Sequence, residues 1–358
     1  MSDNEDKTAG VFPRQNSRAN QAAASGRLSA GDQPSLHNAN PAIFPIIVFE
    51  SKSLYITKKV EMQEGKPYNK YHDRIREGSL MIEVTEKLVR DWLLPRERNA
   101  HKGDFGKVHI LAGSVGYTGA PYFAAQGAAR SGAGLVFLHV SPDIWPVLAV
   151  KCNEVMVSPA GSEDEATLLN DMDSGNAVLI GPGLGRSQEK DARTRMLVQE
   201  LIQPLVLDAD GINAVAGHIH VLEARRGRVT VLTPHEGEFS RLLDGAPITD
   251  RARQAEDFAR MTGCILVLKG HRTVTAFPDG HLFVNTTGNP GMAKGGSGDV
   301  LAGMMVSLLA QGLKPERAVP LAVWLHGRAG DLCARDLGEH GMIPTDLMER
   351  IPLALSSL

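Results

Sequence analysis

The residues with the clearest chemical potential are Asn289-Pro290-Gly291-Met292-Ala293-Lys294-Gly295-Gly296-Ser297-Gly298-Asp299, which run directly into the apolar segment 300–309. A glycine-rich loop feeding a helix aims unpaired backbone N–H groups and the positive end of the helix dipole at one point, an anion hole suited to phosphate. Asp299 sits at the mouth of that hole, placed to take a proton from a substrate hydroxyl while the helix N-terminus steadies a phosphoryl group in transfer. The plainer reading is a glycine turn followed by an ordinary N-terminal helix acid. The loop is not a P-loop, because GxxxxGK[ST] occurs nowhere in the chain. Gly181-Pro182-Gly183-Leu184-Gly185 has the spacing GxGxG rather than GxGxxG, and reads as a sharp turn at a strand end or a close backbone approach to a ligand. Lys269 ends an apolar strand, where a charge needs a partner, a ligand or a route to solvent. Asp208 and Asp210 end another strand, either as helix caps or as carboxylates that orient a metal or its ligands.

The elements that must carry these residues alternate in type. After about residue 80, short β-branched runs alternate with amphipathic or alanine-rich segments, the pattern of parallel strands joined by crossover helices. Strands are expected at 107–112, 135–140, 155–158, 177–180, 204–208, 229–233 and 265–269, and a β-hairpin at 273–277 and 281–285 around Pro278-Asp279-Gly280. Several end in Gly, Pro, Asp or Ser, as strands do when they deliver loops to the carboxyl edge of an open sheet, where ligands bind. Beyond Gly298 the chain is expected to be helical to its end. Residues 1–41, rich in Ser, Asn, Gln, Ala and Gly, are expected to form a disordered tail. Residues 42–79 read as an appendage without a persuasive period, and 80–358 as one α/β domain.

The chain has 358 residues, with 38 Lys+Arg against 41 Asp+Glu, a balance that offers no footprint for nucleic acid or an anionic membrane. Glycine, at 37 residues, is enriched, whereas aromatics make up only 5%. Cys152, Cys264 and Cys333 stand far apart in apolar stretches and read as buried thiols, not as metal ligands or disulfides. No stretch is apolar enough to span a bilayer and the first forty residues lack a signal-peptide pattern, so a cytoplasmic location is expected.

From Asn289 to Gly303 the chain resembles the ribokinase-like superfamily, and within it the ADP-dependent NAD(P)H-hydrate dehydratases. Other segments agree in order: 101–107 (His-Lys-Gly-Asp-Phe-Gly-Lys), 113–120 (Gly-Ser-Val-Gly-Tyr-Thr-Gly-Ala), 130–135, 180–185, 207–211, 232–239 and 268–270. The resemblance covers roughly residues 80–355. It implies a ribokinase-like α/β fold, with a mainly parallel central sheet, helices on both faces and a C-terminal helical region. It also implies a repair enzyme that uses a nucleotide to phosphorylate the hydroxyl of hydrated NADH or NADPH, after which phosphate leaves and the dihydronicotinamide is restored.

By that likeness Asp299 is the base, and Gly296, Ser297 and Gly298 form the anion hole. Lys269, Gly270, His271, Arg272 and Thr273 belong to the nucleotide segment, together with Gly296, Ser297 and Gly298, and the hydrate is held by Gly119, Ala120, Gly183, His235 and Asp299. Thr233-Pro234-His235-Glu236-Gly237-Glu238 matches in position the Asn-x-x-Glu motif with which many of these kinases organise magnesium, with His235 in place of Asn. Glu238 is then the residue expected to orient a metal-bound water, unless it and Glu236 serve only as helix acids.

Many bacterial relatives carry an N-terminal epimerase of about two hundred residues. The roughly 80 residues preceding this domain show no glycine-rich series of strands and helices, so a separate epimerase is expected, together with magnesium, ADP rather than ATP as donor, and a homo-oligomer. The competing readings are a kinase of a vitamin precursor (hydroxymethylpyrimidine, hydroxyethylthiazole or pyridoxal) and a nucleotide-binding module without turnover.

Overall fold

Residues 177–180 (Ala-Val-Leu-Ile) are buried at every position, and so are 205–207 and 265–268. Runs of this kind form strands covered on both faces, as in a parallel sheet between helix layers. The computed structural model describes residues 81–93, 95–161 and 165–358. The proposed tail at 1–41 and appendage at 42–79 lie outside the described residues.

Among the described residues ten strands make one sheet: β1 (Met81–Val84), β2 (Lys107–Leu111), β3 (Leu135–Val140), β4 (Met156–Pro159), β5 (Ala177–Ile180), β6 (Leu205–Leu207), β7 (Thr230–Leu232), β8 (Ile265–Leu268), β9 (Val274–Ala276) and β10 (Leu282–Asn285). Their order is β1-β10-β9-β8-β7-β6-β5-β2-β3-β4. Of these ten strands only β9 runs against its neighbours, through its pairings with β8 and β10. The helices are α1 (Glu86–Arg90), α2 (Gly119–Arg130), α3 (Trp145–Lys151), α4 (Glu165–Asp173), α5 (Gln188–Glu200), α6 (Asp210–Val215), α7 (His220–Glu223), α8 (Glu236–Leu242), α9 (Arg251–Thr262), α10 (Ser297–Ala310), α11 (Pro315–Leu337) and α12 (Pro344–Ser356).

Alternation along the strands divides the core in two. Ala177, Leu179, Val206, Val231 and Val267 pack with α2, α10 and α11 on one face, whereas Val178, Ile180, Leu205, Leu232 and Leu266 pack with α5, α8 and α9 on the other. The helix bearing Asp299 is locked in the first layer: a Cβ on Gly303 of α10 would stand 2.0 Å from the carbonyl oxygen of Ala124 in α2, so only glycine permits that approach.

The seven strands and the hairpin expected from the sequence are present, most trimmed by a residue at one or both ends. β1 was not foreseen. It is a four-residue edge strand with one fully buried side chain, Val84, and so carries almost no periodic signal. Among the described residues no helix is long and apolar enough to cross a membrane.

Candidate active site

The carboxyl ends of β6, β7 and β8 converge with the head of α10. Gly296 precedes α10 with φ +101°, a left-handed conformation natural to glycine, and a Cβ there would meet Phe123 at 2.7 Å and Pro344 at 3.0 Å. Ser297 and Gly298 open the helix and Asp299 lies in its first turn. Buried His326 of α11 sits beneath, its Nε2 at 2.9 Å from the Ser297 carbonyl oxygen. A carbonyl only accepts, so Nε2 carries the proton. Burial holds this imidazole down to about 4, which keeps it a neutral donor at physiological pH.

Lys269, just past β8, is the charge partner of this region. Its Nζ donates to Asp208 Oδ1 at 2.8 Å, stands 3.9 Å from Glu238 Oε2, and would lie 3.3 Å from a Cβ on Gly298. Burial opposes its charge, but Asp208 first, then Glu238 and Asp299, outweigh this and hold its pKa above the usual lysine value. Lys269 therefore does not reach out to bulk solvent; it is an ammonium fixed among three carboxylates. Asp299 is affected in the opposite sense. Burial, reinforced by the charges of Asp208 and Glu238 and only partly offset by Lys269, pushes its carboxyl up to about 7. A carboxyl poised near neutrality beside an anion-binding loop is suited to general base work.

Asp208 does not cap a helix. It is 1% exposed and accepts from Thr233 Oγ1 at 2.7 Å as well as from Lys269. The following Ala209 has φ +47°, a strained conformation for a residue with a side chain. Asp210, in the first turn of α6, accepts from the Gly185 N–H at 2.8 Å and so ties β6 to the GxGxG loop. His235 and Glu238 form a capping box on α8: His235 Nδ1 accepts from the Gly237 N–H at 3.0 Å, and Glu238 Oε2 accepts from the His235 N–H at 2.9 Å. With Nδ1 accepting, the His235 proton resides on Nε2, 3.5 Å from Glu238 Oε1. The helix-acid reading of Glu236 and Glu238 thus describes their local role, while Glu238 also faces Lys269.

A cleft of about 840 Å³ opens from this cluster across the ends of β8 and β10. His235, Lys269, Gly270, His271, Thr273, Ser297 and Gly298 all line it. Arg272 stands apart, its guanidinium bonded to Glu83 on β1. Gly119, Ala120 and Gly183 sit on the other side of the anion loop. A Cβ on Gly183 would lie 2.9 Å from that of Ala120, and Gly119 and Gly296 both border Phe123.

Besides Asn289 and Leu301, which lie within the glycine-loop motif, several residues of the site carried no recognisable sequence signal. Leu301 and Val323 give the cleft an apolar wall, and Asn285 and Asn289 add amides. Arg251 donates to the carbonyls of Lys269 at 3.1 Å and His271 at 2.8 Å, bracing that loop from α9. Asp331 accepts from the Gly288 N–H and the Asn289 amide, both at 3.1 Å. Of the residues outside that motif, only His326 could have been suspected, as a polar residue in the otherwise apolar 318–327 stretch.

Among the described residues no three His, Cys, Asp or Glu side chains stand close enough to hold a metal by themselves. Around Lys269 the carboxylates Asp208, Glu238 and Asp299 outnumber its one ammonium, a surplus that would suit instead a hydrated hard cation that keeps its waters.

A family model described as NAD(P)H-hydrate dehydratase matches residues 108–353. Among proteins of similar sequence, the bifunctional NAD(P)H-hydrate repair enzyme of Moorella thermoacetica is 43% identical over 290 residues, covering 77% of this chain and 54% of that protein. The ADP-dependent (S)-NAD(P)H-hydrate dehydratase of Bacillus subtilis is 35% identical over 273 residues, covering 75% of this chain and 95% of that one. The chain thus spans about half the length of the bifunctional relatives and nearly all of the single-function one. Among solved structures, a ribokinase-like protein from Enterococcus faecalis superposes with TM-score 0.69 at 28% identity, covering 80% of this chain and 99% of that one. The Bacillus subtilis ADP/ATP-dependent dehydratase co-crystallised with ATP and magnesium superposes with TM-score 0.66 at 31% identity, covering 76% and 97%.

Proposed function

Because the chain belongs to the NAD(P)H-hydrate dehydratase family, we propose that it repairs damaged nicotinamide cofactor, dehydrating the S epimer of NADH or NADPH hydrate at the expense of ADP. The observation that carries this reading is Asp299, a carboxyl with pKa raised to about 7 at the head of α10, with Lys269 against the adjoining Gly298.

The nucleotide occupies the cleft along β8 and β10, with Lys269, Gly270, His271 and Thr273 beneath its phosphates and Leu301 and Val323 offering an apolar wall to the base. The hydrate lies across the anion loop, against Gly119, Ala120, Gly183 and the Nε2–H of His235. Asp299 takes the proton of the hydrate hydroxyl as its oxygen attacks the terminal phosphorus of ADP. The phosphorus–oxygen bond to AMP breaks, and the N–H groups at Gly296, Ser297 and Gly298 stabilise the charge on the moving phosphoryl group. Phosphate then leaves from carbon with its bonding pair, far more readily than hydroxide would. Loss of the neighbouring ring proton to water restores the double bond, so the products are NAD(P)H, AMP and phosphate. Magnesium, when bound, would neutralise phosphate charge, with Glu238 and Asp208 orienting its waters. Lys269 remains protonated throughout as the fixed countercharge, and neutral His326 holds the Ser297 carbonyl so that the loop N–H groups stay aimed.

The intact dihydronicotinamide absorbs near 340 nm, which provides the test. Absorbance that grows with ADP, with one phosphate released per ring restored, is the expected result. A stable phosphorylated product would indicate a vitamin-precursor kinase instead. The choice of ADP over ATP, the need for a separate epimerase, homo-oligomeric assembly and a cytoplasmic location belong to the same proposal.

A further inference from the structure

A second cleft, of about 470 Å³, lies at the carboxyl ends of β2, β3, β4 and β5, and nothing in the mechanism above uses it. Its lining includes Gly113, Ser141, Ala160, Leu184, Lys190 and Arg193. We propose that this cleft binds the adenosine-phosphate half of the dinucleotide substrate, with Lys190 as the cation that meets one of its phosphates. The inference rests on the dehydratase reading for the identity of the ligand, and on the sheet for its placement.

The strand order lays the site out in a line. The nucleotide cleft spans the ends of β8 and β10, and the reacting groups follow β6, β7 and β8 and head α10. The hydrate residues Gly183 and Gly119-Ala120 follow β5 and β2, and β3 and β4 complete that side of the sheet. A hydrate whose reacting ring meets Asp299 must extend its other half away from ADP, and therefore toward β3 and β4. Four inter-strand steps from β6 to β4 span roughly 19 Å at ~4.8 Å each, a distance suited to an extended dinucleotide.

The second cleft begins where the hydrate residues stop. Leu184 follows Gly183 directly, the Gly113 N–H donates to the Pro182 carbonyl at 2.8 Å, and Ser114 Oγ donates to the Gly183 carbonyl at 2.9 Å. Lys190 Nζ donates to the Leu184 carbonyl at 2.9 Å and would lie 3.4 Å from a Cβ on Gly185, so its ammonium is held at the junction of the two regions. Arg193 forms the inner wall. Its terminal nitrogens donate to the carbonyls of Ala160 at 3.2 Å and Gly161 at 2.7 Å, and its Nε stands 3.5 Å from Glu165. Asp143 and Glu189 also line the cleft, so its charge is mixed, and Lys190 is the exposed cation free to exchange a carbonyl for a phosphate.

Equilibrium binding separates this inference from the activity. The fluorescence of dihydronicotinamide is titrated with NADPH, NADH and reduced nicotinamide mononucleotide, which lacks the adenosine-phosphate half, in the wild type, Lys190→Ala and Lys190→Glu. The wild type is expected to bind NADPH at least about tenfold more tightly than the mononucleotide, and Lys190→Glu to remove about tenfold of that preference. Weakening for both dinucleotides assigns the pyrophosphate to Lys190, and weakening for NADPH alone assigns the 2′-phosphate. Equal weakening of dinucleotide and mononucleotide, or unchanged NADPH affinity in both variants, overturns the proposal. A wild type that binds in the expected pattern but restores no 340 nm absorbance from the hydrates overturns the dehydratase reading and leaves the cleft assignment standing.

Discussion

The ammonium of Lys269 lies 2.8 Å from the carboxylate of Asp208, a residue 1% exposed at the end of a different strand, and this pair is the fixed point from which the reacting carboxyl is tuned. Asp299 feels both members. The negative charge of Asp208 raises its pKa and the positive charge of Lys269 lowers it, and burial decides the outcome in favour of a value near 7. A site of this kind stores electrostatic tension that the fold does not need.

That tension is measurable as stability. The folded-state pKa of Asp299 is raised from 3.8 to about 7, so between those values the folded protein retains a proton that the unfolded chain has released, and stability falls as pH rises through that window. Asp299→Asn removes the buried charge. Its Tm is expected to exceed that of the wild type by about 2–4 °C at pH 8, with the difference shrinking as the pH is lowered to 5. Thermal melts at the two pH values check it.

Replacing Lys269 acts in the other direction. Lys269→Met leaves Asp208 buried without its countercharge and is expected to cost about 3–5 kcal/mol in urea unfolding. The same change withdraws the charge that holds the Asp299 pKa down, so any residual activity should rise with pH through a midpoint above 7. Adding Asp208→Asn should recover part of the stability but none of the activity, a non-additivity read from the double-mutant cycle.

Gly183 tests the division of the site. A Cβ there would lie 2.9 Å from that of Ala120 and 3.0 Å from that of Tyr117, on the hydrate side of the anion loop. Gly183→Ala is expected to raise KM for the hydrate about tenfold or more while leaving KM for ADP within about twofold, because the nucleotide cleft lies at other strands. Steady-state kinetics with each substrate varied in turn would show the split.

Most of this architecture was legible because its signals are local. Each buried strand is a short apolar run, and each glycine that shapes a loop is visible as a glycine. Asp299 could be named from its own motif because loop, helix and acid are consecutive. The Asp208–Lys269 pair could not be read in the same way: the two residues are 61 positions apart and meet only once β6, β7 and β8 are placed side by side. The same holds for His326 beneath Ser297, for Arg251 behind the Lys269–His271 loop, and for β1, which pairs with β10 across about two hundred residues.

Two buried histidines, His109 on β2 and His139 on β3, are expected to contribute to acid sensitivity. His109 Nδ1 and His139 Nε2 are 2.9 Å apart on neighbouring strands, and His139 Nδ1 is 2.9 Å from Ser158 Oγ. Burial lowers both to about 4, with mutual repulsion adding to the effect at His109 and the charge of Arg193 at His139. The unfolded chain therefore binds protons below about pH 6.5 that the folded one refuses, and stability is lost as pH falls from there toward 4. The urea midpoint should drop between pH 7.5 and pH 5. A His109→Gln/His139→Gln variant should flatten that slope, leaving the part carried by buried His326.

The most direct test of the central claim, that Asp299 is the base of an ADP-dependent hydrate dehydration, compares wild type with Asp299→Asn in one absorbance trace near 340 nm. With authentic S-epimer NADPH hydrate, magnesium and ADP, the wild type is expected to restore the absorbance. Asp299→Asn should lose about 10²–10⁴-fold in rate while binding ADP within a few-fold of the wild type. A variant that keeps most of its rate, or a folded wild type that restores no absorbance with either ADP or ATP, would contradict the account.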